Sequence, residues 1–127
     1  MSPDRLLFAS GALFALVAVA AGAFAAHGLK SRLGPDMLAT FELAARYQIY
    51  HAIALILCGV AWGRWPGPSV VVAGTLFVAG ILLFSGSLYI LSLTGARWLG
   101  AVTPLGGTAW LAGWAALAWA ALRNPVG

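Results

Sequence analysis

ELAARYQIYHAIALIL, residues 42–57, begins as a polar helix face and ends as hydrocarbon. It carries Glu42, Arg46, Tyr47, Gln48, Tyr50 and His51 into a run with no further polar atom on its side chains. Composition says what surrounds that run. The chain has 127 residues, 62% hydrophobic and 8% charged, with a mean hydropathy of +0.95. Soluble domains hold roughly 25% charged residues to stay in solution. A chain this apolar cannot hide its surface in water, so its solvent is lipid.

Outward from that stretch, four apolar segments cover 6–26, 43–63, 69–94 and 99–122. Each is long enough as a helix to cross a hydrocarbon core of about 30 Å. Together they use nearly the whole sequence, which predicts one all-α domain over 1–127, an integral membrane four-helix bundle with short loops. The net charge of +4 comes from basic residues scattered singly between the segments. That is the pattern of flanking anchors, and it excludes a nucleic-acid patch. Cys58 is alone, inside an apolar run, and reads as a small hydrophobe.

The connections carry their own signals. In 27–41, Gly34-Pro35 marks a turn, and Pro35 with Asp36 suits the first turn of a helix that continues into the second span and ends near Trp62 and Trp65. Trp65-Pro66-Gly67-Pro68 is a tight turn, and a second turn falls at 95–98. The fourth span either starts near Trp98 and is kinked by Pro104, or starts with Thr103 as cap and Pro104 in the first turn, which is better chemistry. Ala18, Gly22 and Ala26 recur every fourth position, as in closely approaching membrane helices. Arg5, the apolar run after it and AAGAFAA also fit a cleavable signal peptide, but three more spans follow instead of a secreted domain.

Depth is the informative coordinate. Four crossings put 27–41 and 95–98 on one side, the loop-one face. Counting inward from it, His27 lies at the mouth, Arg46 is shallow, and Gln48 and His51 lie ~10 Å deep. Ser85 and Ser87 reach a similar depth from the third span, Thr103 and Thr108 from the fourth. The opposite half holds Leu, Val, Ala and Trp. Since an ionisable group in a span faces the interior with a partner, the expectation is a polar pocket in one leaflet formed by His27, Glu42, Arg46, Tyr47, Gln48, His51, Ser85, Ser87, Thr103 and Thr108. Glu42 and Arg46 have ion-pair spacing, and Tyr47, Gln48 and His51 share a helix face; Arg46 can equally snorkel to the headgroups.

At this point four motifs matter together: GAFAAHGLK (22–30), YQIYHAIAL (47–55), LLFSGSLYILSLTG (82–95) and TPLGGTAWLAGW (103–114). In order and spacing they resemble the transmembrane protein 256 family, the YgdD-like small membrane proteins of bacteria and animals with a domain of unknown function. One departure is Ala25, where the family motif usually reads Gly, which loosens a close helix contact there. The resemblance implies four spans with an uncleaved first helix. It brings no activity, cofactor or catalytic residue.

His27 and His51 as axial haem ligands or metal ligands lack a third ligand and any HxxxH or ExxH spacing. Glu42, Arg46 and His51 as a proton path lack groups to continue it through the opposite half. Ser85 or Ser87 beside His51 is the one candidate dyad, and serines flanking a glycine in a span more often pack and hydrogen-bond. Trp110, Trp114 and Trp119 read as packing and lipid-facing bulk, and Gly106-Gly107 as a close-approach site. The expectation is therefore a non-catalytic binding or assembly module, with no cofactor and no metal. Its partners would be membrane lipids, a membrane protein or a second copy. The alternative is a small transporter or channel for a polar or anionic solute. The expected location is the bacterial inner (plasma) membrane. Arg5, Arg64 and Arg123 flank one face and Lys30, Arg32, Arg97 and Arg46 the other, a near tie under the positive-inside rule, and the expectation is both termini cytoplasmic.

Overall fold

The computed structural model describes residues 1–123. It is all-helical over those residues. Helix α1 spans Pro3–Leu29, α2 Pro35–Arg64 and α3 Pro68–Thr94. Helix α4, Thr103–Arg123, follows a 3-10 turn at Arg97–Ala101. With that turn counted into the fourth, each of the four is long and apolar enough to cross a membrane.

Proline sets the starts. Pro3, Pro35 and Pro68 stand in the first turns of α1, α2 and α3, and Pro104 is the second residue of α4. There the missing N–H costs nothing and the fixed φ favours the helix. No proline falls in a described helix interior, so none kinks a span. Gly95 stops α3 in the left-handed region at φ 74°, with its N–H on the Leu91 carbonyl at 2.7 Å. Helices run further into the first connection than the apolar pattern does: α1 continues to Leu29 and α2 begins at Pro35. Thr103 opens α4, but its hydroxyl turns sideways to Ser87 at 2.7 Å rather than capping.

Two π turns interrupt the regular ladder, at Ala25–Leu29 in α1 and Ile81–Ser85 in α3. Each inserts one residue's worth of rotation, re-aiming the side chains beyond it. In α3 the carbonyl of Phe77, which accepts the Ile81 N–H, also accepts the Trp110 indole N–H at 3.2 Å.

Helix α2 is the hub. Helix α1 packs along one side of it, α3 along another, and α4 packs on α3, reaching α2 through aromatic side chains. In lipid, helices associate by close packing and hydrogen bonds rather than by a hydrophobic drive, and glycine supplies the closeness. A Cβ on Gly11 would stand 2.6 Å from the Ala52 carbonyl oxygen, and one on Gly59 2.8 Å from the Asp4 carbonyl oxygen. Gly106 faces the Phe84 backbone and Gly80 the Trp110 indole in the same way. The close approach of α1 to α2 is thus at Gly11 and Gly59, not along 18–26: Gly22 has open space beside it and Ala26 is exposed. Leu55, Cys58, Val70 and Phe77 fill the main apolar core. A second apolar cluster of Ala25, Leu29 and Phe41, with Leu33, Leu38 and Tyr89 against it, lies at the loop-one end.

Candidate functional site

Between the two apolar clusters lies a belt of hydrogen-bonded side chains. Gln48 is its centre, 2% exposed. Its Nε2 donates to the Phe14 carbonyl of α1 at 2.9 Å, and its Oε1 accepts from the Tyr89 hydroxyl of α3 at 2.8 Å. One amide therefore ties three helices.

One turn deeper, His51 is 7% exposed. Its Nδ1 lies 2.8 Å from the Tyr47 carbonyl, which can only accept, so Nδ1 carries the proton. Nε2 is then the acceptor, and it takes the Trp114 indole N–H at 3.2 Å. The imidazole stacks on Trp110 with ring centres 3.8 Å apart and planes 1° from parallel. Tyr47 covers the same indole at 6.0 Å. Both nitrogens of His51 are engaged and its face is covered.

The serines join helices as well. Ser85, fully buried at the end of the π turn, donates to the Ala44 carbonyl of α2 at 2.8 Å. The Ser87 hydroxyl lies 2.9 Å from the Phe84 carbonyl and shares a 2.7 Å hydrogen bond with the Thr103 hydroxyl of α4. Among the described residues no buried side-chain nitrogen or oxygen lacks a partner. In a medium without water that completeness is what buried polar groups require.

Of the ten candidate residues, Gln48, His51, Ser85 and Ser87 are buried in this belt, with Thr103 half-buried at its edge. His27, Glu42, Arg46 and Thr108 are exposed, and Tyr47 lies at the rim with its ring against Trp110. Thr108 bonds its own helix at the Pro104 carbonyl, 2.9 Å away. Among the described residues no ion pair joins Glu42 to Arg46. They flank a groove between α1 and α2 whose other walls are Ala18, Val19, Gly22, Ala45 and Ile49. Tyr89, Trp110 and Trp114 belong to the belt although sequence reasoning left them outside it. A buried indole N–H or phenol needs an acceptor, and that rule, applied at the depth of Gln48 and His51, was the available signal.

Neither serine hydroxyl is bonded to His51: one donates to Ala44, the other to Phe84. Among the described residues no group of three or more His, Cys, Asp or Glu side chains is placed to hold a metal ion.

Residues 21–107 match the family described as "Protein of unknown function (DUF423)". The chain belongs to this family. It is 46% identical over 110 residues to a UPF0382 membrane protein of Staphylococcus aureus, covering 87% of this chain and 89% of that one. It is 45% identical over 114 residues to the UPF0382 membrane protein YwdK of Bacillus subtilis, covering 89% and 93%. No solved structure matches it. Its relatives are named membrane proteins, in keeping with four helices apolar enough to span.

Proposed function

We propose that the protein is a non-catalytic binding or assembly module of the bacterial inner (plasma) membrane, with both termini cytoplasmic. The observation that carries this reading is the saturation of the belt. A general base or nucleophile needs a free lone pair or a transferable proton facing substrate, and the inward hydroxyls and imidazole are all committed to neighbouring helices. Partner-facing chemistry is left to the exposed charges near the loop-one face, Glu42 and Arg46 foremost. The motif resemblance to transmembrane protein 256 and the YgdD-like proteins is compatible with the family found, and we take it as kinship within one group.

One observation favours the alternative of a small transporter or channel. The π turn at Ile81–Ser85 ends in the belt at Ser85, and such turns frequently accompany functional sites. Reconstitution into sealed vesicles separates the two. The module reading expects no proton or solute flux above protein-free vesicles, and co-purification of a stoichiometric lipid or membrane partner. Flux that disappears in His51→Ala and Arg46→Ala would establish the transporter instead.

A further inference from the structure

The groove between α1 and α2 has an order of polarity that matches one kind of molecule. Helix α2 descends from the loop-one face, so Glu42 stands nearest the surface, Arg46 about 6 Å deeper, and Ile49 deeper again. Both charged side chains are exposed, and Ala18, Gly22 and Ala45 keep the floor between the helices shallow and free of bulk. From the surface inward the wall is therefore anionic, cationic, then apolar. We propose that this groove is a headgroup site for a zwitterionic phospholipid bearing a primary ammonium, phosphatidylethanolamine. The ammonium pairs with Glu42, the phosphate with Arg46, and the upper part of one acyl chain lies over Ala18 and Ile49. This deepens, and rests on, the reading of the protein as a binding module.

Charge decides among the possible occupants. A phosphatidylethanolamine headgroup ends in its ammonium, with the phosphate one step nearer the acyl chains, the same order as Glu42 and Arg46 along the groove. Arg suits phosphate through its planar fork of donors, and a primary ammonium brings N–H donors to the carboxylate, which a quaternary choline lacks. Phosphatidylglycerol satisfies Arg46 but offers Glu42 a neutral glycerol, whose hydroxyls donate without the charge of an ammonium. A second copy of this chain is disfavoured by symmetry. Copies inserted the same way round are related by an axis along the membrane normal, which brings Glu42 level with Glu42 and Arg46 level with Arg46. The groove measures about 320 Å³. That is at the small end of ligand sites, which run to roughly 1,000 Å³, enough for a headgroup and part of a chain.

The test is native mass spectrometry of the full chain from mixed micelles holding equal phosphatidylethanolamine, phosphatidylcholine and phosphatidylglycerol. The wild type is expected to retain phosphatidylethanolamine over each of the other two by roughly two- to fivefold, the worth of one exposed charge pair. Glu42→Gln should abolish that preference while binding persists, and Arg46→Gln should lower retention of all three. Both positions are exposed, so the fold is not at stake. Equal retention of the three lipids by the wild type would overturn the proposal, as would a preference that survives both substitutions. So would a dimer that disappears with them, which gives the groove to a second copy. Solute flux would sink the module reading without changing these lipid counts, and loss of headgroup preference would sink this site without creating flux.

Discussion

Gln48 shows how much one side chain carries in this bundle. Removing it leaves the half-buried Tyr89 hydroxyl without its acceptor and strips the Phe14 carbonyl of the bond it makes beyond its own helix ladder; an orphaned buried group costs about 1–3 kcal/mol. Interhelical hydrogen bonds in membranes are worth less than that, averaging about 0.6 kcal/mol with a maximum near 1.7, because the unfolded helices find other partners. A double-mutant cycle of Gln48→Ala and Tyr89→Phe, read from unfolding in mixed micelles, should therefore give a coupling of about 0.6–1.7 kcal/mol. A value indistinguishable from zero would remove the bond from the account. At His51 the stack and the hydrogen bond separate: His51→Phe keeps a ring against Trp110 but loses the acceptor for Trp114. Tryptophan fluorescence should shift in that variant, with a smaller loss of stability than in His51→Ala, which also opens a cavity. The sequence made Gln48, His51, Ser85 and Ser87 legible through depth alone. Their partners were not, because depth is one coordinate and a partner also requires rotation about the helix axis. Four of the acceptors, at Phe14, Ala44, Tyr47 and Phe84, are backbone carbonyls that no residue pattern marks.

Among the elements, adjacent glycines have different roles. Gly106 faces the backbone of Phe84, whereas Gly107 has nothing within 4 Å of an added Cβ. Gly106→Ala is thus expected to force α4 away from α3 at a cost of about 1–3 kcal/mol, typical of overpacking. Gly107→Ala should change stability by no more than about 0.5 kcal/mol, as substitutions away from packed sites do. Thermal unfolding of the two variants in one detergent checks the pair, and equal effects would contradict the helix contact described. The sequence marked the glycine pair but not which member faces the neighbour. It marked the repeat at Ala18, Gly22 and Ala26, yet α1 meets α2 most closely at Gly11 and Gly59. Spacing records that small residues are available; the crossing point depends on where both helices offer them together. The helix starts at Pro35 and Pro68 were readable because proline's chemistry is local. The π turns were not, since one inserted residue leaves no periodic trace over so few positions.

Across the whole molecule, the apolar pattern gave the architecture directly: 62% hydrophobic residues in four runs leave no other way to shelter this chain. The sequence also drew a polar half beneath the loop-one face. The structure places apolar side chains there too, with Ala25, Leu29 and Phe41 clustered at the loop-one end, so the polar residues form an enclosed belt. Packing in three dimensions supplied that lid; hydropathy along one strand of residues does not record it. Cys58 is buried in the main core, and its thiol should resist a maleimide in the native protein and react once the bundle is unfolded. That makes a clean background for the decisive test. Replace Cys58 with Ser and Ser85 with Cys, reconstitute the chain in sealed vesicles, and add a membrane-impermeant thiol reagent to either side. Position 85 is fully enclosed between α2 and α3 and is expected to remain unlabelled from both sides, reacting only after denaturation. Labelling of the native protein from one side would reveal a water-filled opening, and a sealed, purely structural belt would be contradicted.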